Sequence, residues 1–206
     1  MKKYKLTTET LQFAGRTLHR IKAVKDFDSI KAGEFGGWIE NEKNLSQDDN
    51  AWIYGNAKVF DNAKVFDNAK VYGNANVSDN ANVSDNAEVY GNANVSDYAN
   101  VFGNAEVYGN ANVSDYAKVY GNAAIKGDAK VHDAVDYIVF KNFWSSGRYF
   151  TWTSSNNKWS VGCFYGTSEE LIKKAYADSE KSGREYERVV RYVESILADE
   201  KKEKSN

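Results

Sequence analysis

The sequence predicts an all-β parallel solenoid, a triangular prism built from 18-residue coils, followed by a small C-terminal α+β unit. Three observations carry this prediction. A six-residue period runs without insertion from Ala51 to Ala134, a longer period of three hexads lies over it, and composition changes abruptly at Val135. Fixed short periods of this kind mark solenoids, in which each repeat buries its apolar face only against its neighbours.

Fourteen hexads of the form A-x-V-x-(G/D)-N fit between residues 51 and 134, with the aliphatic position running from Ile53 through Val59 to Val131. Alternate residues of a strand share a face, so Ala and the aliphatic residue point inward while the residues flanking the aliphatic one point outward. Gly, Asp and Asn then make each corner, because they tolerate positive φ. The 206 residues contain no proline and 22 asparagines, 15 of them between Asn56 and Asn122. A proline inside a coil would remove an N–H from the ladder between coils.

Residues 71–88 match 89–106, and those match 107–124, at 15 of 18 positions each time. Corner residues sort by the same period: Gly55, Gly73, Gly91, Gly109 and Gly127 form one column, Asp61, Asp79, Asp97, Asp115 and Asp133 the next. Three hexads therefore close one coil. With coils about 4.8 Å apart, the four and two-thirds coils stand roughly 22 Å tall. Phe35 and Gly37 lie one full coil before Ile53 and Gly55, and Ile39 and Leu45 fall in the alanine column, so 33–50 reads as an imperfect first coil. Residues 4–30 read as a hairpin about Ala14-Gly15-Arg16 that covers the open end. The domain division is 1–32, an N-terminal cap; 33–134, the prism; and 135–206, an aromatic-rich α+β domain.

The aliphatic-to-small spacing of four then two resembles that of the hexapeptide-repeat proteins, the superfamily of trimeric acyltransferases that includes the UDP-N-acetylglucosamine acyltransferases. The resemblance covers roughly residues 4–134 and implies a single-stranded left-handed parallel β-helix. The glycine here lies two residues after the aliphatic position rather than next to it. With Gly15-Arg16-Thr17-Leu18, Gly36-Gly37-Trp38-Ile39 and Asn44-Leu45-Ser46, this variant is similar to a subgroup of bacterial and phage proteins described as acyltransferases.

Uniform Val and Ala leave no room for a ligand inside, so function is read from the outward columns. Tyr54, Tyr72, Tyr90 and Tyr108 stack on the first side, ending at Lys126; Phe60, Ser78, Ser96, Ser114 and His132 occupy the second; Phe66, Ser84, Phe102 and Tyr120 the third. A tyrosine ladder carries several hundred Å² of aromatic surface. It is expected to be covered by the C-terminal segment or a second subunit, the other readings being a docking strip for a foreign partner or a solvated stack. Asn and Ser columns are expected to bond to their own copies above and below, and the corner Asp residues to cap their own turns. Residues 71–117 carry six acidic and no basic side chains, which excludes nucleic acid along the prism.

Between Val135 and Gly166 stand ten aromatic residues. Strands are expected over 136–143, 148–153 and 158–165, a three-strand meander. A capping box, Thr167-Ser168-Glu169-Glu170, opens a helix that ends near Gly183, and a second helix carries Tyr186, Val189, Val190, Val193, Ile196 and Leu197 on one face. So many aromatics exceed the needs of a small core, so Arg148, Trp152 and Trp159 are candidates for an exposed binding surface. Cys163 reads as a buried small residue. It cannot form an internal disulfide, and no Cys and His spacing suits a metal.

Net charge is about −2, no apolar run approaches the length of a membrane span, and the Met1-Lys2-Lys3 start lacks a signal-peptide core. A soluble cytoplasmic protein, bacterial or in a phage host, is expected, without membrane contact. The resemblance implies catalysis by a histidine base at a subunit interface. Only His19 and His132 are present, no loop is extruded from the coils, and the three-histidine metal set of the prism-shaped carbonic anhydrases is missing. The first functional expectation is therefore a non-catalytic scaffold: a homo-oligomer, dimer or trimer, presenting its aromatic module to a protein or small-molecule partner, as a phage-encoded inhibitor or sequestering protein would, with no cofactor. The second is an acyl-CoA-dependent O- or N-acyltransferase at a trimer interface, with His132 as candidate base.

Overall fold

A computed structural model describes residues 2–144 and 147–203. Strand β1 (Tyr4–Phe13) and strand β2 (Arg16–Ala23) form an antiparallel hairpin, and β3 (Phe35–Ile39) pairs with β2. Fourteen two-residue strands follow at six-residue intervals, β4 (Trp52–Ile53) through β17 (Lys130–Val131). They sort into three parallel sheets, ordered β4-β7-β10-β13-β16, β5-β8-β11-β14-β17 and β6-β9-β12-β15. Pairing follows the three-hexad period, as in Val71 with Val89, Val89 with Val107 and Val107 with Ile125. This is the expected triangular prism, of about five turns.

Its interior is filled by side chains. The first-position Ala and the aliphatic residue of every hexad are buried in one continuous core. Between coils, N–H groups such as those of Lys58, Phe60 and Asn62 donate to the carbonyls of Ala75, Val77 and Asp79 at 2.7–3.1 Å. Asparagines reinforce the ladder by bonding coil to coil, Asn50 to Asn68, Asn68 to Asn86 and Asn86 to Asn104 at 3.0–3.3 Å. The corner Asp residues Asp61, Asp67, Asp79, Asp85, Asp97 and Asp115 have φ of 55–60°. Their carboxylates act differently from expectation: Asp67 Oδ2 accepts from the Asp85 N–H one coil on (3.2 Å), and Asp85 Oδ2 from Gly103 N–H (2.9 Å), so they cap the next turn rather than their own.

The first coil departs from this period. Ile39 pairs with Val59 and Leu45 bridges to Val65, in each case two positions beyond a full coil, so these two sit in the aliphatic column and not the alanine one. Two extra residues bulge at the Gln47–Asn50 corner, where Asn50 N–H again meets the Asp67 carbonyl. Buried Lys3 ties this bulge down, its Nζ donating to the carbonyls of Asp49 (3.0 Å) and Ala51 (2.8 Å), while Gln47 Oε1 accepts from the Lys3 and Tyr4 N–H groups.

At the other end, the C-terminal unit closes the prism. It contains four antiparallel strands, not three: β18 (Tyr137–Lys141), β19 (Tyr149–Thr153), β20 (Lys158–Val161) and β21 (Phe164–Gly166). Gly162 turns at φ +55° and splits the expected third strand, leaving Cys163 exposed at the turn rather than buried. Helix α1 (Ser168–Asp178) starts at the Thr167–Glu170 capping box and stops at extended Ser179; α2 (Glu180–Glu203) follows at once. Gly183 therefore lies inside α2, where the Tyr176 ring fills the place of its Cβ. Among the described residues no helix is long and apolar enough to cross a membrane.

Corner glycines differ in what they permit. A Cβ on Gly91 (φ +71°) would lie 3.0 Å from the Gly109 nitrogen and oxygen, whereas one on Gly121 (φ +69°) would meet nothing within 4 Å. Gly121→Ala should cost about 1 kcal/mol for its left-handed backbone, and Gly91→Ala about 1–3 kcal/mol more because the coils must part. Urea midpoints of the two variants check this; equal losses would contradict the close approach.

Candidate functional site

The last rung of the second side carries the densest polar cluster on the prism. In the lower coils each serine bonds to its own corner aspartate, Ser78 Oγ to Asp79 Oδ2 (2.8 Å) and Ser96 Oγ to Asp97 Oδ2 (3.1 Å). Above Ser114 the column changes to His132, whose Nδ1 lies 2.8 Å from Ser114 Oγ and 2.9 Å from Asp115 Oδ2. An ionised carboxylate only accepts, so the Asp115 contact places a proton on Nδ1 and leaves the lone pair of a neutral ring on Nε2. The backbone is held as well: Asp136 Oδ2 accepts from the His132 N–H (2.7 Å) and the Asp133 N–H (3.0 Å). Asp133 leaves the corner geometry of its column (φ −142°) and becomes the N-cap of a 3-10 turn, Ala134–Asp136.

Two residues past His132, Ala134 forms part of the rim of a groove between the last coil and the meander. The groove holds about 460 Å³ and is lined by Tyr120, Asn122, Tyr137, Ile138, Val139 and Tyr149, among others. Tyr137 of this lining is one of several C-terminal side chains that cap the last coil. The Tyr137 hydroxyl donates to the Lys118 carbonyl at 2.9 Å, and burial pushes its pKa up to about 12. Tyr165 does the same for the Lys126 carbonyl (3.0 Å), while Thr151 Oγ1 and Ser155 Oγ accept from the N–H groups of Ala124 and Lys130. Charge reverses here too: residues 118–158 carry six basic against three acidic side chains. Lys130 flanks Val131 on the same outward face as His132, and Lys118 is exposed on the third side.

The other predicted residues lie elsewhere. Trp152 and Trp159 are 3% and 0% exposed, packed with Phe150, Val161, Leu171, Val190 and Val193 in the second core. Their indole N–H groups are spent inside the unit, on Asn157 Oδ1 and Ser168 Oγ. They form no binding surface, and exposed Arg148 stands apart from them at the rim of a small cavity of about 80 Å³ that Cys163 also lines. Tyr54, Tyr72, Tyr90 and Tyr108 are half-buried on the first side. Among the described residues, the C-terminal unit approaches this ladder at its top, where Lys126 Nζ lies 5.2 Å from the Tyr108 ring and 5.4 Å from that of Tyr165. Column counting placed Ser114 beneath His132, but Asp115, one residue further round the corner, carried no signal beyond its place in a column of aspartates. Among the described residues no group of three or more His, Cys, Asp or Glu side chains could hold a metal ion.

No protein-family model matches the chain. It is similar to the uncharacterized acetyltransferase YdcK of Escherichia coli strain K12, 39% identical over 62 residues. That stretch is 26% of this chain and 19% of the relative's length. The chain fits the hexapeptide-repeat left-handed β-helix superfamily. The acetyltransferase relative overturns the first functional expectation. A non-catalytic scaffold displaying an aromatic module gives way to the acyltransferase reading, and the burial of Trp152 and Trp159 removes the surface on which the scaffold reading rested.

Burial of the tryptophans makes them stability residues of this hexapeptide-repeat protein. Trp159→Ala should lower stability by about 3–5 kcal/mol, measured by thermal denaturation, with loss of the second core; an unchanged Tm would contradict the assigned packing.

Proposed function

We propose that the chain is an acyl-CoA-dependent acyltransferase that acylates a hydroxyl or amine acceptor, with His132 as general base at the interface of a trimer. The observation that supports this most strongly is the Asp115–His132 contact, 2.9 Å long, on the terminal rung. It joins a base of suitable tautomer to a chain that is similar over 62 residues to a protein named an acetyltransferase.

In this reading Nε2 of His132 removes the acceptor's proton as the acceptor oxygen or nitrogen attacks the thioester carbonyl. The carbon–sulfur bond breaks as the new ester or amide forms, and the imidazolium returns its proton to the departing thiolate. Asp115 holds the ring and stabilises its transient positive charge, as an orienting carboxylate does for a catalytic histidine. Lys118 and Lys130 are the cations placed to meet the phosphates of the acyl donor. A neighbouring subunit would supply the wall that the exposed His132 face lacks in a single chain.

The test is acceptor-dependent release of free CoA thiol from acetyl-CoA, using panels of amines and alcohols. Turnover should fall at least about a hundredfold in His132→Gln, with a smaller loss in Asp115→Asn. His132→Gln turning over at the wild-type rate, or no thiol release with any acceptor, would sink the proposal.

A further inference from the structure

The acyl-transfer site makes no use of the tyrosine ladder, whose geometry has its own chemistry. The Tyr72 and Tyr90 rings are 4.7 Å apart and 3° from parallel; Tyr90 and Tyr108 are 4.6 Å apart and 10° from parallel. Tyr54 stands edge-on at the foot, 6.4 Å from Tyr72 and at 86° to it. Each inner phenol has a carboxylate acceptor. The Tyr72 hydroxyl donates to Glu88 Oε2 at 2.7 Å, and that of Tyr90 to Glu106 Oε2 at 3.0 Å. These glutamates flank Val89 and Val107 on the same outward side, so the coil register that stacks the rings also sets a base beside them.

Burial first, and the neighbouring Glu88 and Glu106 charges with it, hold the Tyr72 and Tyr90 phenols protonated well above the ordinary tyrosine value. Loss of an electron reverses that preference, because a phenol radical cation is strongly acidic and the bonded carboxylate is placed to take its proton. We propose that the Tyr72–Tyr90–Tyr108 stack is an oxidative modification site, where a one-electron oxidant couples adjacent rings into a dityrosine link between coils. Two adjacent phenols each lose one electron to the oxidant and one proton, Tyr72 to Glu88, Tyr90 to Glu106 and Tyr108 directly to water, and the glutamates pass theirs on to water. The two ring radicals join through a carbon–carbon bond between ortho positions. The hydrogens on those carbons then move to the phenol oxygens, restoring both aromatic rings. The net change is two electrons and two protons lost, with two equivalents of oxidant reduced.

A second stack supplies the internal comparison. Tyr98 and Tyr116 are also parallel, 5.2 Å apart, and are more exposed at 53% and 73%. Among the described residues neither hydroxyl meets a carboxylate. If exposure alone governed oxidation, this pair would react first; if close stacking with a bonded base governs it, the inner ladder does.

The experiment treats the full chain with photogenerated tris(bipyridine)ruthenium(III) and reads dityrosine fluorescence in the monomer band of a denaturing gel. Circular dichroism checks that each variant is folded. Tyr90→Phe, which removes the stacked partner of both Tyr72 and Tyr108 and leaves Tyr72 only the edge-on Tyr54, should abolish the signal; Tyr98→Phe should retain it. Glu88→Gln combined with Glu106→Gln should slow its appearance while leaving the fold unchanged. The proposal is overturned by a signal that survives Tyr90→Phe, by one lost in Tyr98→Phe, by cross-links confined to dimers, or by no signal in the wild-type chain.

Discussion

The rung between coils is the interaction on which the rest of this protein depends. Lys58 N–H reaches the Ala75 carbonyl, Asn76 N–H the Ala93 carbonyl and Asn94 N–H the Ala111 carbonyl, always at the same step. That fixed step turns each position of the hexad into a column, so one choice of residue is repeated about every 4.8 Å up the prism. Valine columns fill the core, asparagine columns bond to themselves, and tyrosine columns stack. None of these features is designed separately. Each is the same register seen on a different face.

A ladder of this kind has ends, and its ends must be satisfied. In the last coil the N–H groups of Ala124, Lys130 and His132 point where the next coil would be, and side-chain oxygens of Thr151, Ser155 and Asp136 replace it. The carbonyls of Lys118 and Lys126 are met by the Tyr137 and Tyr165 hydroxyls. At the opposite end Lys3 does this for Asp49 and Ala51. The candidate site lies where it does for the same reason. The column that reads serine below ends in histidine on the terminal rung, where Asp115 lies beneath it and Ala134, two residues on, borders the groove under the cap.

The prism was legible because its information is repeated: fourteen hexads and a near-identity from coil to coil leave one way to stack. Where repetition stops, so does legibility. The longer step from Ile39 to Val59 arises from a two-residue bulge that contains Gln47 and is pinned by Lys3, which the N-terminal cap brings to it from 44 residues away. In the C-terminal unit, composition announced many aromatics without saying which way they face. Trp152 and Trp159 turn inward because their strands pack on α1 and α2, a long-range fact with no local pattern, and Gly162 adds a turn that an apolar run conceals. Of the site, His132 was visible as a residue type, but its partner Asp115 was hidden among chemically identical corners.

The central claim is that the contact with Asp115 fixes the tautomer of His132, with the proton of the neutral ring on Nδ1 and Nε2 open as the basic atom. Long-range proton–nitrogen correlation spectra of the 15N-labelled protein read this directly, with a His19→Asn variant assigning the two rings. The account predicts that the neutral form of the His132 ring carries its proton on Nδ1 and leaves Nε2 bare, a preference reversed or averaged in Asp115→Asn. A neutral ring with its proton on Nε2 in the unaltered protein would contradict it.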